Sequence, residues 1–397
     1  MTLIRFFCAV EPGIPMFRDL LPYLAARGMD VELVITGQEY RGGREPLIPL
    51  LAKAGVAVHT VRVPFARGAA GPRTANVSVA FLFGATVRAL FGKRARVNVF
   101  LTQPPFFYVW GAVLARLRRQ KSVVIVMDVY PDVAIRSGML RAGGLPARLL
   151  HAVSRFGLRQ ADEVVAIGRC MRELLAREGI LPHKLSVIPN WADDRTVFPV
   201  PHSENALRRE LGFGPNDFLV VYSGNMGQVH VFDDILEVAR RLRAQPSIRF
   251  VFIGSGSRRR EVEAFRDRPG LTNVVLLPMQ PATRMSESLS MGDVQFVSLR
   301  NGFEGLVVPS KTYGPLAAGR PVIYEGAATG EVARLLTESG AGTVVPVGDP
   351  DALEAAVLFY FRSPAHTARA SAAALAFARS ELSAAGRLAA YQALLCR

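Results

Sequence analysis

The chain has 397 residues, of which 50% are hydrophobic and 20% are charged, which is typical of a globular protein with two domains. Its three cysteines and six histidines are widely scattered and form no CxxC or HExxH pattern, which argues against a disulfide scaffold and a metal site. The net charge of +15 is concentrated in residues 1–200, which contain 27 Lys and Arg against 14 Asp and Glu.

Residues 46–127 contain twelve basic residues and no acidic one. A field of one sign attracts an anionic surface or ligand, such as phospholipid, nucleic acid or a diphosphate-bearing substrate. A high arginine background is the alternative explanation. Residues 1–10 are too short and too soon followed by Glu11 for a signal peptide, and no segment has 18 uninterrupted apolar residues. We therefore expect a cytoplasmic or peripheral protein without a membrane-spanning helix.

Short β-branched runs alternate with helical segments along the first half of the chain, which predicts parallel sheets covered by helices. The predicted strands are residues 3–10, 31–36, 57–63, 97–101, 122–127, 163–166 and 185–188. The predicted helices are residues 17–27, 47–54, 77–91, 108–117, 146–158 and 170–178.

A proline-containing polar segment, residues 189–205, is the predicted linker, and we place the domains at 1–197 and 198–397. The second half has predicted strands at 218–223, 249–253, 274–277, 294–298, 321–324 and 342–345, and predicted helices at 232–243, 258–265, 284–290, 311–318, 331–339 and 349–360. An alanine-rich final helix, residues 368–396, either caps the second domain or crosses back to the first. Two doubly wound halves of this kind bind ligands in the cleft between them.

A glycine-bracketed loop follows the strand predicted at 218–223 and precedes a helix. It contains Gly224, Asn225, Gly227 and His230. Backbone N–H groups and the positive end of the helix suit a diphosphate, although a turn that merely requires glycine would look the same. The GxG turn at residues 254–256 lacks the third glycine of a nicotinamide-binding fingerprint and is a weaker signal.

A second candidate segment begins with Glu304 and continues through an apolar run to Ser310 and Lys311. Ser310 is a predicted helix N-cap, which places the cation of Lys311 at a helix N-terminus, where the dipole disfavours it. This position favours an anionic partner for Lys311. A solvated surface lysine is the alternative.

In order and spacing, these segments resemble the family 4 retaining glycosyltransferases of the two-domain GT-B type, and the resemblance covers nearly the whole chain. The motifs that carry it are the loop at Gly13, Met127-Asp-Val-Tyr-Pro-Asp132, Val187-Ile-Pro-Asn-Trp-Ala-Asp193, Tyr222-Ser-Gly-Asn-Met-Gly227, and Pro309-Ser-Lys311 followed by Ala317-Ala-Gly-Arg-Pro-Val-Ile323. The sequence is most similar to bacterial O-antigen and exopolysaccharide transferases of the N-acetylfucosamine transferase type.

The resemblance implies two Rossmann-like domains facing across a cleft and transfer of a sugar from a nucleotide donor, usually UDP-linked. It further implies retention at the anomeric carbon, no essential metal or cofactor, and a polyprenyl diphosphate-linked saccharide acceptor at the cytoplasmic membrane face. Glu304 corresponds to the glutamate that faces the donor sugar. Asp128, an available carboxylate of the first domain near the cleft, is the second catalytic candidate. The donor-binding positions are Gly13, Gly224, Asn225, Gly227, His230, Met279, Val307, Val308, Ser310 and Lys311.

The sequence departs from the family pattern where a second glutamate usually grips the ribose. Thr312 or Gly314 stands there, depending on the alignment, and Glu331 is a residue that could contribute instead. The only Asp-x-Asp, formed by Asp349 and Asp351, resembles a helix cap more than a metal clamp. Asp132 is either a cleft carboxylate or the cap of the following helix.

Several segments of the acid-free stretch mix aromatic and other apolar residues with basic ones, which is the composition of an interfacial surface. The aromatic residues are Phe81, Phe83, Phe91, Phe106, Phe107 and Trp110, with basic residues at 93–96 and 116–121. An amphipathic core helix with solvated arginines is the alternative. For the whole protein, a nucleotide-sugar 2-epimerase and a non-catalytic GT-B binding protein are the alternatives. Nucleic-acid binding is not expected, because no known signature is present.

Overall fold

A computed structural model describes residues 2–10, 16–36, 46–62, 73–193 and 195–397, and of residues 73–77 only the backbone. The first seven strands form one parallel sheet in the order β3-β2-β1-β4-β5-β6-β7. These strands are β1 Leu3–Phe7, β2 Asp30–Thr36, β3 Ala57–Val61, β4 Val97–Leu101, β5 Lys121–Val126, β6 Glu163–Ala166 and β7 Leu185–Val187. The helices that connect them are α1 Met16–Ala25, α2 Leu47–Lys53, α3 Arg73–Phe91, α4 Phe107–Leu117, α5 Asp132–Arg136, α6 Leu145–Gln160 and α7 Arg169–Arg177.

The next six strands form a second parallel sheet in the order β10-β9-β8-β11-β12-β13. They are β8 Phe218–Ser223, β9 Ile248–Ile253, β10 Val274–Leu277, β11 Val294–Ser298, β12 Val322–Glu325 and β13 Gly342–Val345. The remaining helices are α8 Ala206–Glu210, α9 Asp233–Arg241, α10 Arg259–Arg266, α11 Met285–Ser290, α12 Tyr313–Ala317, α13 Glu331–Ser339, α14 Pro350–Arg362, α15 Pro364–Glu381 and α16 Ala384–Cys396. The prediction of two doubly wound α/β domains is confirmed.

The central strands are buried on both faces, which is why they appear in the sequence as continuous apolar runs. All five residues of β4 and of β11 are buried. Helices cover both faces of a parallel sheet, so the strands need no polar face. The short helices α5 and α8 were not predicted, because five residues are too few for a helical apolar pattern.

Of the three helix caps considered from the sequence, the structure confirms one. Asp349 accepts a hydrogen bond from the Ala352 N–H at 2.9 Å and caps α14, as predicted. The prediction for Ser310 is wrong, because Ser310 is the first residue of a 3₁₀ turn, Ser310–Thr312, that leads directly into α12, and the residues at the two cap positions are Pro309 and Thr312. Asp132 is the first residue of α5 and does not cap it; its carboxylate lies 3.6 Å from His151.

The predicted final helix is two helices separated by a break after Glu381, and the second of them returns to the first domain. The Ser383 hydroxyl caps α16 by accepting a hydrogen bond from the Gly386 N–H. Helix α15 packs on α12, and α16 packs on α1. The Tyr23 hydroxyl donates to Gln392 at 3.1 Å, which ties α16 to the first domain.

A polar contact across the domains fixes the start of α7. The Glu331 carboxylate, at the first residue of α13, accepts hydrogen bonds from the backbone N–H groups of Arg169 and Cys170 at 2.5 and 3.2 Å. It also accepts one from Arg169 Nε at 2.9 Å. A carboxylate is favourable at a helix N-terminus, so the second domain supplies the cap that α7 lacks in its own sequence.

The described part of the chain has no helix both long enough and apolar enough to cross a membrane.

Candidate functional site

A cleft of about 1190 Å³ separates the two sheets at the carboxyl ends of their strands. The first domain contributes Gln103, which follows β4, and Met127 and Asp128, which follow β5. The wall from the second domain includes Ser223, Gly224, Asn225, Met279, Gln280, Val308, Ser310, Lys311 and Gly314. Parallel sheets bind ligands at this edge, because successive strand ends and helix starts meet there.

Lys311 and His230 form one polar unit beside the cleft. Lys311 Nζ lies 2.7 Å from His230 Nε2, and His230 Nδ1 lies 2.6 Å from the Ser298 carbonyl oxygen. Burial and the nearby ammonium lower the pKa of His230 to about 3, so the imidazole is neutral. It therefore donates from Nδ1 to Ser298 and accepts from Lys311 at Nε2.

Lys311 is the predicted donor-binding cation that faces the cleft. Burial lowers the pKa of its ammonium to about 8, so it is still mostly charged at neutral pH. His230 is buried behind it and is not among the residues that line the cleft. Of these two predicted donor-site residues, only Lys311 lines the cleft, and His230 lies behind it as its hydrogen-bond partner.

The glycine loop after β8 is shaped by close packing between two loops. Gly224 has φ +141°, and a Cβ there would lie 2.5 Å from Lys311 Cε. Gly254 has φ +138°, and a Cβ there would lie 2.0 Å from the Gly224 carbonyl oxygen. Gly224 therefore gives room to the Lys311 stem. Gly227 has no positive φ and does not line the cleft, so the turn does not require glycine there.

Asp128 is one of two carboxylates from the described part of the first domain that line the cleft, the other being Asp193. Burial raises its pKa to about 6, and a hydrogen bond with Gln103 partly opposes that rise. A backbone bridge joins Asp128 to Val307 of the second domain, and the Val129 N–H donates to the Leu306 carbonyl at 2.9 Å. Asp128 thus lies where the two domains meet, with a pKa that suits proton transfer near neutral pH.

Glu304 belongs to the loop after β11 and is not among the residues that line the cleft. Both of its carboxylate oxygens accept from the Gly302 N–H, at 3.0 and 2.9 Å. Its carboxylate is therefore held against its own loop, close to the domain contact at Val307. The structure brings Asp128 and Lys311 to the cleft and places Glu304 beside it.

The residues that could replace the second glutamate do not do so in this structure. A Cβ on Gly314 would lie 2.9 Å from Leu289 Cδ1, so an apolar side chain fills the space next to it. Thr312 is buried. Glu331, the substitute considered from the sequence, is instead engaged by the start of α7. Glu331 is the only one of these three residues with a carboxylate, and it does not line the cleft.

A network of hydrogen bonds and ion pairs at the linker was not predicted from the sequence. The buried Asp19 carboxylate of α1 accepts from Trp191 Nε1 at 2.8 Å and pairs with Arg195, which in turn pairs with Asp193 at 2.8 Å. Burial raises the pKa of Asp19. Arg195 lines the cleft together with Arg18 and Lys53. The only signal for this site was the Val187–Asp193 motif, which does not reveal its partner in α1.

Of the other predicted donor positions, Asn225, Met279, Val308 and Ser310 line the cleft, whereas Val307 forms the bridge to Asp128. Gly13 lies outside the described residues. Among the residues with a described position, no three His, Cys, Asp or Glu side chains are grouped closely enough to hold a metal ion.

Two family models match the chain, one in each half. Residues 14–191 match a glycosyl transferase 4-like domain, and residues 217–362 match glycosyl transferases group 1. One relative, the probable glycosyltransferase WbjE of Pseudomonas aeruginosa, is 29% identical over 70% of this chain and 69% of its own length. Another, the putative colanic acid biosynthesis glycosyl transferase WcaI of Escherichia coli K12, is 30% identical over 62% of this chain and 60% of its own length.

Solved structures with the same fold include Anabaena HepE in complex with UDP-glucose, with a TM-score of 0.74 at 15% identity and full coverage of both chains. Sucrose-phosphate synthase from Thermosynechococcus elongatus has a TM-score of 0.75 at 15% identity, over 99% of this chain and 98% of that one. At these identities the likeness shows that the two domains share the GT-B fold.

Proposed function

Because the chain belongs to the glycosyltransferases that join a glycosyl transferase 4-like domain to a group 1 domain, we propose that it transfers a sugar from UDP. The observation that carries this proposal is the Lys311 ammonium, which a neutral imidazole holds at the cleft wall. A nucleoside diphosphate needs a cation there, since negative charge develops on it as it leaves. That HepE is described in complex with UDP and with UDP-glucose supports this donor class.

The reaction breaks the bond between the anomeric carbon and the diphosphate oxygen and forms a bond to an acceptor hydroxyl oxygen. The acceptor proton passes to a base, and Asp128 is the cleft carboxylate whose pKa of about 6 suits that role. We propose that Glu304 approaches the donor sugar when substrates are bound, and that the sugar is transferred with retention of the anomeric configuration. Binding and positioning supply most of the catalysis, because the diphosphate is already a good leaving group. We expect no essential metal or cofactor.

We further propose that the acceptor is a polyprenyl diphosphate-linked saccharide and that the product belongs to a bacterial surface polysaccharide. The names of WbjE and WcaI, a glycosyltransferase and a colanic acid biosynthesis transferase, support this pathway class. Such an acceptor requires that the enzyme work peripherally on the inner face of the cell membrane. An N-acetylfucosamine-type donor sugar is the more specific form of the proposal.

The first test is a thermal-shift panel of UDP, ADP, GDP and their sugars, since a ligand that binds the folded protein raises its apparent stability. UDP compounds should give the largest shift. Product formation from the best UDP-sugar and a short-chain polyprenyl diphosphate saccharide should follow, with the anomeric configuration read by NMR. An inverted product would contradict retention, and no shift with any UDP compound would contradict the donor.

The matches to two glycosyltransferase domain models favour sugar transfer over the two alternatives considered from the sequence, a nucleotide-sugar 2-epimerase and a non-catalytic binding protein. UDP-sugar turnover without an acceptor would favour the epimerase, whereas UDP binding without turnover under any acceptor would favour the binding protein. No separate observation in the structure supports either one.

A further inference from the structure

Helices α3, α4 and α6 form one layer on the first domain. The Trp110 indole of α4 donates to the Thr86 hydroxyl of α3 at 2.9 Å, and the Tyr108 hydroxyl of α4 lies 2.7 Å from that of Ser154 in α6. A Cβ on Gly157 would lie 2.6 Å from Val109, so α4 and α6 pack closely there. The outward surface of this layer is here called the α3-α4-α6 face.

Helix α3 exposes most of its larger apolar side chains, although Phe81 is buried in the core. Phe83 and Phe91 are 73% and 83% exposed, whereas Ala85 and Ala89 face the core. Val79, Leu82, Phe83, Val87, Leu90 and Phe91 are all exposed and recur at intervals of three and four residues. They therefore form a continuous apolar stripe on one side of the helix. Burying such a stripe is favourable, so its exposure indicates an absent partner.

The stripe continues across the other two helices. Trp110 and Leu117 are exposed on α4, and Leu145, Leu149 and Phe156 are exposed on α6 with spacings that place them on one side. Most of the described large apolar side chains that are exposed in this protein lie between residues 79 and 156. The partner must therefore cover a broad surface and not a single groove.

The charge on this face has one sign. None of the three helices contains an acidic residue, and they carry basic residues that include Arg116 on α4 and Arg148 on α6. Both of these arginines are exposed. A second copy of the chain would oppose the same positive charges across a two-fold axis, which disfavours self-association. An anionic lipid surface complements the charge and accepts the aromatic side chains.

The α3-α4-α6 face begins close to the cleft entrance. Helices in this fold begin at the carboxyl edge of the sheet, where the cleft lies. Trp110 and Leu149, in the first two turns of α4 and α6, are therefore near that edge. Gln103, which lines the cleft, is only a few residues before α4. A bilayer that covers the face would lie next to the cleft entrance.

We propose that the α3-α4-α6 face inserts into the surface of an anionic bilayer and brings the cleft entrance to a membrane-embedded acceptor. This inference rests on the proposed function for its acceptor, but the lipid contact itself is independent of the chemistry. It extends the interfacial surface expected from the acid-free stretch to α6, which lies outside that stretch. It also excludes Phe81 and Phe107 from the surface, because both are buried.

The chain offers a direct spectroscopic probe of insertion. Of its two tryptophans, Trp191 is 3% exposed and Trp110 is 44% exposed. With vesicles of phosphatidylglycerol and phosphatidylethanolamine, the fluorescence of the full-length protein should shift to shorter wavelength and be quenched by brominated lipid chains. The Trp110→Phe variant should show neither change. Full quenching in that variant, or none in the wild type, would overturn the proposed insertion.

Co-sedimentation with the same vesicles measures the contribution of each part of the face. Phe83→Ser with Phe91→Ser should weaken partitioning about tenfold or more, as should Arg116→Gln with Arg148→Gln at low salt. The matched control is Phe359→Ser with Arg260→Gln on the second domain, which should bind vesicles like the wild type. Equal binding by all three variants would overturn the proposal, as would equal binding of the wild type to neutral phosphatidylcholine.

Two further measurements distinguish a failure of the proposed function from a failure of the proposed lipid contact. UDP binding by thermal shift should be unchanged in every variant. If the wild type did not bind UDP, the proposed function would be contradicted, but the result on lipid binding would be unaffected. Sedimentation velocity without lipid should show a monomer. A dimer that dissociates on substitution of Phe83 and Phe91, without vesicle binding, would assign the face to self-association and overturn the lipid contact.

Discussion

The ammonium of Lys311 and the Nε2 atom of His230 lie 2.7 Å apart, and the imidazole accepts the hydrogen bond because it is neutral. One cation is thereby aimed at the cleft by a side chain that is itself buried. Gly224 has no side chain, and this leaves space for the aliphatic part of the Lys311 side chain. The candidate donor site therefore depends on three residues from two separate segments, the loop after β8 and the turn before α12.

Replacing Lys311 by alanine should weaken UDP binding by roughly 1.5–3 kcal/mol, the usual contribution of a hydrogen bond to a charged group. Isothermal titration calorimetry measures the loss. Lys93→Ala removes an exposed lysine of the first domain and should bind UDP normally. Unchanged affinity in Lys311→Ala would remove this residue from the donor site.

UDP affinity should decrease as the pH rises above about 8, because burial lowers the pKa of Lys311 to about that value and the unliganded protein then loses the ammonium. Binding above this pH should be accompanied by proton uptake, since the anion favours the charged form. Calorimetry in buffers of different ionisation enthalpy detects that uptake. Lys311→Ala should show neither effect, and a flat affinity profile from pH 7 to 9.5 in the wild type would refute the assignment.

Asp128→Asn should lower turnover by about a hundredfold, within the usual range for general acid–base groups, while UDP still binds. In the wild type, turnover should fall as the pH drops through about 6, because the carboxylate must be ionised to accept a proton. A pH–rate profile of both proteins tests this. An unaltered acid limb in Asp128→Asn would show that another group titrates.

Glu304→Gln should reduce turnover by about tenfold or more with little change in UDP affinity, since a group that acts on the transition state changes kcat more than donor binding. Amide and carboxylate are nearly isosteric, so the loop should retain its fold. Steady-state kinetics with saturating acceptor makes the comparison. Near-normal turnover would mean that Glu304 remains against its loop during the reaction.

Glu331→Ala should lower the free energy of unfolding by about 2–3 kcal/mol, because it leaves the first N–H groups of α7 without an acceptor. Glu338→Ala is the matched control, since Glu338 also pairs with Arg169 but is half-exposed and should contribute below about 1 kcal/mol. Denaturant unfolding of both variants gives the two values. Equal losses would show that Glu331 acts only through Arg169.

Most of the secondary structure could be predicted because buried parallel strands are continuous apolar runs. The predicted bounds of β4, β6, β8, β10, β11 and β13 agree with the structure. The final helix was predicted as one piece because alanine is favourable throughout it, and sequence periodicity does not reveal the break at residues 382–383.

The sequence predicted some of the residues that line the cleft, but it did not predict which side chains pair with each other across the fold. Lys311 and Asp128 stand at strand and helix ends, where the fold brings cleft residues together, and both line the cleft. Glu331 and Asp19 could not be assigned, because each has its partner more than 150 residues away in the chain. Contacts at that separation leave no local pattern.

The sequence by itself determined the two-domain α/β fold, the family, and the strong positive charge of the first domain, since these depend on apolar periodicity, motif order and composition. The tertiary structure decided which side chains face the cleft, which face solvent and which hold the domains together. Phe81 and Phe83 differ by two positions, yet one is buried in the core and the other is exposed on the α3-α4-α6 face. The reason is geometric: successive helical residues are rotated by about 100°, so only packing against a neighbour fixes which side is covered.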